Sequence, residues 1–70
     1  MKIVWRYDNG NLCMYDTITS NVSTWSQGNS YHLSVGSISK VRIGSQNEME
    51  KLFNDIVAAE KRGDKVFEIK

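Results

Sequence analysis

The sequence predicts a small α+β domain: an antiparallel β-meander of four or five strands, one C-terminal α-helix packed on one face, and a final short strand. Three observations lead to this class. Apolar residues alternate with polar ones through most of residues 1–43, recur at three- and four-residue spacings through residues 45–62, and alternate again over residues 65–70. We therefore expect residues 1–70 to form a single domain made of these three parts.

The first hairpin is indicated by Asn9-Gly10, because both central residues of a type I′ turn need positive φ and these two residue types tolerate it best. Residues 2–7 and 12–18 are the predicted strands on either side. The pairs that a two-residue turn predicts are Tyr7–Leu12, Trp5–Met14, Ile3–Asp16 and Val4–Tyr15. In this register both faces of the hairpin carry large side chains.

The second hairpin is centred on Gly28-Asn29, a predicted two-residue turn between strands over residues 22–27 and 30–35. The pairs that follow from this turn are Val22–Val35, Thr24–Leu33 and Trp25–His32. Apolar residues continue at odd positions as far as Ile43. Whether residues 30–43 form one bent strand or two strands broken at Gly36-Ser37 stays open at this point.

The helix has signals at both ends. Ser45 and Glu48 have the spacing of a capping box, in which the serine oxygen accepts the N–H of the glutamate. Gly63 supplies the left-handed residue that commonly ends a helix, and Lys61 and Arg62 complement the helix dipole. The apolar stripe consists of Met49, Leu52, Phe53, Ile56, Val57 and Ala59. Because the helix covers one face of the sheet, we expect the other face to remain open.

The composition argues against most enzymes. A formal net charge of +1 gives no broad field toward nucleic acid or a membrane surface. The chain has one cysteine, Cys13, and one histidine, His32, so it can form neither an internal disulfide nor a zinc site of four protein ligands. The glycines form no phosphate-binding motif. We expect no catalytic residues, no cofactor and no metal site.

The expected location is cytoplasmic, meaning intracellular and reducing. No stretch of the sequence is apolar enough to span a bilayer, and residues near Met1 lack the long apolar segment of a signal peptide. The sequon Asn21-Val22-Ser23 is accordingly interpreted as a chance occurrence.

The middle of the chain predicts a protein-binding surface. Residues 17–39 contain no Asp, Glu, Lys or Arg, and seven serines, three threonines and two asparagines surround the aromatic residues. Interface cores are depleted of charge and enriched in aromatic residues, and antibody loops use the same mixture. An uncharged sheet edge also favours pairing with a partner or a second copy. The candidate contact residues are Trp25, Tyr31, His32, Tyr15 and Asn29.

We therefore expect a small non-catalytic protein that acts stoichiometrically on a protein partner, with a homo-oligomer as an open alternative. A second hypothesis is a single-stranded nucleic-acid-binding module that combines sheet aromatics with Lys2, Arg6, Lys40 and Arg42. A third is an oligomer that binds a small molecule or nucleotide between subunits. In size, reduced context and contact-like surface the chain is similar to small proteins of bacteriophages and other mobile elements, which implies an inhibitor or regulator.

Overall fold

The computed structural model describes residues 1–6, 9–36 and 39–69, with the backbone alone at residues 39–41. Within these residues the chain forms six strands and one helix, which confirms the α+β class. The elements are β1 (Lys2–Arg6), β2 (Leu12–Asp16), β3 (Val22–Gln27), β4 (Ser30–Val35), β5 (Ser39–Ile43), α1 (Gln46–Arg62) and β6 (Val66–Ile69). Lys70, the last residue of the predicted terminal strand, lies outside the described residues.

The strands form two three-stranded sheets rather than one continuous meander. Sheet 1 has the order β2-β1-β6, in which β1 pairs antiparallel with β2 and parallel with β6. Sheet 2 is the antiparallel meander β3-β4-β5. The chain passes between them through residues 17–21, where the N–H groups of Thr19 and Ser20 donate to the carbonyl oxygen of Asp16 at 3.2 and 3.0 Å. The expected single sheet is therefore divided at this turn.

The register predicted for the first hairpin is wrong by one residue. The observed pairs are Lys2–Asp16, Ile3–Tyr15, Val4–Met14, Trp5–Cys13 and Arg6–Leu12. Five residues separate Arg6 from Leu12, so the connection is longer than a two-residue turn allows. Within it the side-chain oxygen of Asn9 accepts the N–H of Asn11 at 3.0 Å, an Asx turn that supports the longer loop. Tyr7, the predicted partner of Leu12, lies outside the described residues.

The one-residue shift decides which side chains of sheet 1 point inward, because side chains alternate along a strand. The inner face carries Ile3, Trp5, Cys13, Tyr15, Phe67 and Ile69. The outer face carries Lys2, Val4, Arg6, Leu12, Met14, Asp16, Val66 and Glu68. Met14 and Tyr15 have therefore exchanged the sides that the predicted register gave them.

The second hairpin has the predicted register, with Trp25 opposite His32 and Thr24 opposite Leu33. The open question about residues 30–43 is answered by two strands, since β4 ends at Val35 and β5 begins at Ser39. Gly36, at φ 71°, takes the left-handed conformation that ends β4. Ser37 of the predicted break lies outside the described residues.

The predicted caps of α1 are both present. The Ser45 side-chain oxygen accepts the N–H of Glu48 at 3.2 Å, which satisfies one of the helix's free N-terminal donors. Gly63 follows the helix at φ 79°, and the N–H of Asp64 donates to the carbonyl oxygen of Ala59 at 3.1 Å. These local bonds fix the length of α1 and hence the part of the chain that it can cover.

The core lies where the inner faces of both sheets meet α1. Its buried residues are Ile3, Trp5, Leu33, Val35, Ile56 and Ile69. Helix α1 packs against all three strands of sheet 2, and the Trp5 ring stacks on Tyr15 with centroids 5.2 Å apart. Full burial of each aliphatic side chain contributes about 1.5–3 kcal/mol. With both inner faces occupied, the surfaces that remain for contact are the two outer faces, the sheet edges and the exposed side of α1.

Candidate contact surfaces

The outer face of sheet 2 carries an aromatic stack, the Trp25 face. The rings of Trp25 and His32 lie with centroids 4.0 Å apart and planes 14° from parallel. The indole N–H of Trp25 donates to the hydroxyl of Ser34 at 2.8 Å, which fixes the orientation of the ring. Both rings are half-buried. The predicted cross-strand pair is therefore a rigid platform with short polar residues around it.

Two further predicted residues lie in the same sheet or its turn. Arg42 is the register partner of His32 on β5 and its side chain is exposed. Asn29 lies at the exposed turn between β3 and β4. The Nδ1 atom of His32 is inaccessible to solvent and has no hydrogen-bond partner among the described residues. Among the side chains that the structure describes, the Trp25 face thus offers ring surface and the cationic group of Arg42.

The other predicted contact residues point elsewhere. Tyr15 lies on the inner face of sheet 1, stacked on Trp5. Tyr31 lies on the inner face of sheet 2, opposite Ser26 and Ile43, and is half-buried. The structure therefore does not bring the five predicted contact residues together on one surface.

The basic residues of the nucleic-acid hypothesis are divided as well. Lys2 and Arg6 lie on the outer face of sheet 1, whereas Arg42 lies on the outer face of sheet 2. Lys40 pairs with Ser34 in the β4–β5 register, and its side chain lies outside the described part of the structure. At most part of this set belongs to any one binding face.

An apolar patch on the outer face of sheet 1 was not predicted. Leu12, Met14 and Val66 are 63%, 57% and 57% exposed. Val4, half-buried between them, lies opposite Met14 and diagonal to Val66. We call these four side chains the apolar patch. The patch was missed because the predicted register turned Met14 inward. Asn9, whose side chain can stabilise a longer loop, was a local signal against that register.

Charged side chains of both signs alternate with the apolar patch. They are Lys2, Arg6, Asp16 and Glu68. Arg6 donates from its guanidinium to the carbonyl oxygen of Gly10 at 2.8 Å, which ties the loop to this face. A depression of about 280 Å³ at the same end of the sheet is lined by Val4, Trp5, Arg6, Leu12, Glu68 and Ile69. The middle of this face, at Val4 and Met14, is therefore apolar, and charged side chains lie around it and beside Val66.

The cysteine and the histidine of the chain lie on different sheets. Cys13 lies on the inner face of sheet 1, whereas His32 lies on the outer face of sheet 2. Among the described residues no group of three or more His, Cys, Asp or Glu side chains is arranged to hold a metal ion. The helix that the structure describes is not long and apolar enough to cross a membrane.

Comparison with known proteins adds no relative. No protein-family model, no curated protein and no solved structure matches this chain.

Proposed function

We propose that this chain is a small non-catalytic protein that binds a protein partner stoichiometrically through the outer face of sheet 1. The observation that carries the proposal is the apolar patch, in which three large side chains are more than half exposed on one sheet face. Large contiguous apolar patches on soluble proteins often mark contact sites, whereas single exposed apolar residues are common. Met14 also suits such a role, because its unbranched thioether side chain adapts to an irregular partner surface.

The charges around the apolar patch favour a protein over a nucleic acid or a membrane. Lys2 and Arg6 are accompanied by Asp16 and Glu68, so the face has no excess of either sign. An apolar centre with a mixed polar rim is the usual anatomy of a protein interface, and the rim charges supply specificity. An inhibitor or regulator of the kind that bacteriophages and other mobile elements encode is the role we propose for such a surface, in a cytoplasmic setting.

Affinity capture tests this proposal with a matched pair of variants. Met14→Glu places a charge at the centre of the patch. Thr19→Glu places the same charge at an exposed position in the segment that connects the two sheets. We expect the wild-type chain and Thr19→Glu to capture the same protein from a bacterial lysate at a fixed molar ratio, and Met14→Glu to lose it. Circular dichroism checks that both variants are folded. Equal capture by all three chains contradicts the use of this face.

Self-association through the same face is a distinct outcome. Static light scattering over a range of concentrations measures the mass of the free chain. A dimer that Met14→Glu dissociates and Thr19→Glu preserves means that the patch is covered by a second copy, and a monomer at all concentrations leaves it free for another protein.

The Trp25 face favours a second candidate function, the binding of single-stranded nucleic acid. Ring platforms beside a cationic group are the elements that bind unpaired bases, and Arg42 lies next to the Trp25–His32 stack. The test is retention on an oligothymidine column at low salt. If the wild-type chain is retained and Trp25→Ala and Arg42→Ala are not, the result supports this function. Lys2→Ala, on the other sheet, is the matched charge control. Equal elution of all four chains contradicts it.

A further inference from the structure

We infer that the free edge of β3, with the groove beside it, binds an extended segment of a protein partner as a fourth strand of sheet 2. The choice of a protein partner rests on the proposed function, but the surface is not the outer face of sheet 1. Two independent features carry the inference: the backbone groups that β3 directs outward, and an apolar groove on the helix side of that edge.

The backbone of β3 is set up for strand addition. Among the described strands β3 pairs with β4 alone and ends the sheet. The N–H of Gly36 donates to the carbonyl oxygen of Asn21 at 2.8 Å, in register with the hairpin. Because bonding alternates along an antiparallel pair, odd-numbered residues of β3 bond toward β4. Val22, Thr24 and Ser26 therefore direct their N–H and C=O groups to the free edge.

This edge lacks the usual protection against pairing. Natural edge strands carry charges, proline, bulges or a covering element that prevent another chain from adding to them. The sequence of β3, VSTWSQ, contains neither a charged residue nor proline. Ser23, Thr24 and Ser26 are exposed along it. An extended segment can therefore approach β3 without displacing a charged group of this strand.

The groove lies between α1 and the chain that leads into β3, with a volume of about 380 Å³. Its apolar lining is Val22, Phe53, Ile56 and Val57, and its polar lining is Thr17, Ser20, Asn21, Glu60 and Lys61. The helix residues follow a spacing of three and four, so they form one side of α1. This volume is more than twice the roughly 150 Å³ that encloses a benzene ring, so it has room for two aliphatic side chains.

The geometry joins the two features. The side chains of Val22, Thr24 and Ser26 lie on the helix side of sheet 2, since they alternate with Trp25 on its outer face. An added strand places alternate side chains on the same side, and those beside Val22, the β3 residue that lines the groove, can enter it. Strand addition of this kind takes its affinity from backbone bonds and its specificity from pockets for alternate residues.

The occupant that fits is a heterologous segment with apolar residues at alternate positions. A second copy of β3 fits less well, because only one of its helix-side residues, Val22, is apolar. The groove does not favour a ligand of either charge. Its two charged residues, Glu60 and Lys61, have opposite signs, and the Glu60 carboxylate accepts a hydrogen bond from Thr17 at 3.1 Å. The preferred segment is therefore extended and apolar at every second residue, and it needs no charged residue for binding.

Selection from a phage-displayed library of random twelve-residue peptides tests this inference. Thr24→Pro removes an outward N–H while leaving the bonds to β4, because proline is tolerated where the N–H faces away from the sheet. Val57→Lys places a charge in the groove. The matched controls are Arg42→Pro on the edge strand β5 and Ala58→Lys on the exposed side of α1.

We expect the selected peptides to show alternating apolar residues and to protect the amides of Thr24 and Ser26 from hydrogen exchange. Thr24→Pro and Val57→Lys should each weaken their binding at least about tenfold, and the two controls should bind as the wild type does. Peptides that leave these amides unprotected, or that bind all variants equally, overturn the inference. The inference is also overturned if no peptide is enriched on the wild-type protein relative to the Thr24→Pro variant. Protection of these amides by a second copy of the chain overturns it as well.

The result is separable from that of the proposed function. Met14→Glu lies on the other sheet and should leave peptide binding unchanged. Loss of lysate capture in Met14→Glu without any β3-binding peptide overturns the present inference alone. Peptide binding at β3 together with lysate capture that Met14→Glu does not affect contradicts the proposed contact face alone.

Discussion

Leu12 and Leu33 provide a matched test of the register on which the proposed contact surface depends. Leu33 is fully buried between the sheets, whereas Leu12 is 63% exposed. Leu33→Ala should lower the free energy of unfolding by about 3–5 kcal/mol, since it removes buried methyl groups and leaves a cavity. Leu12→Ala should cost only about 0.5–1 kcal/mol, roughly the buried third of a leucine's full burial energy.

The loss of unfolding free energy expected for Leu33→Ala is large for a chain of 70 residues. Such a domain has a total stability of about 3.5–10 kcal/mol, so Leu33→Ala removes a third or more of it. The melting temperature should fall by roughly 20–35 °C, against a few degrees for Leu12→Ala. Urea denaturation followed by tryptophan fluorescence gives both free energies, with the slope of each transition as a check on two-state behaviour.

An equal loss for both leucines at low protein concentration would refute the reasoning, because it would mean that Leu12 is buried within the monomer. A loss at Leu12 that grows with protein concentration has another meaning. It would place that side chain in an interface between copies, and light scattering would then show the dimer directly.

Three further predictions concern local structure. Ser45→Ala should destabilise the fold by about 1 kcal/mol through the lost helix cap, and an unchanged urea midpoint would argue against that bond in solution. Gly63→Ala should cost about 1 kcal/mol, since alanine resists the φ of 79° found there, and a gain in stability would contradict this conformation. In a protein whose Cys13 has been replaced, the double variant Val4→Cys with Met14→Cys should form a disulfide on mild oxidation. The double variant Val4→Cys with Tyr15→Cys should not, because the side chains at positions 4 and 15 lie on opposite faces of the sheet. Mass spectrometry distinguishes the two registers.

The parts of the fold that the sequence predicted correctly have local causes. The caps at Ser45 and Gly63 use residues within one or two turns of the helix end. The second hairpin follows from Gly28-Asn29, because a two-residue turn specifies the pairing of every residue on both sides. The α+β class and the order of elements follow from these signals and from the periodicity of the apolar residues.

The parts that were missed depend on distant pairing or on loop length. Nothing local to residues 65–70 indicates that β6 pairs in parallel with β1, on the side of β1 away from β2. The first hairpin failed because Asn9-Gly10 also fits a longer connection, and one additional residue reverses the faces of β2. The aromatic pair of the Trp25 face was predicted correctly, whereas the apolar patch depended on the register that was missed.

The parallel pairing of β1 with β6 has a kinetic consequence. These strands lie at opposite ends of the described chain, and the N–H of Lys2 donates to the carbonyl oxygen of Lys65 at 2.9 Å. Joining them closes a loop of about sixty residues, so this step carries the largest loop-closure entropy in the fold. Sheet 2 and α1 are contiguous in the chain and can assemble first. During synthesis, the face that bears the apolar patch is therefore completed only after Ile69 has left the ribosome.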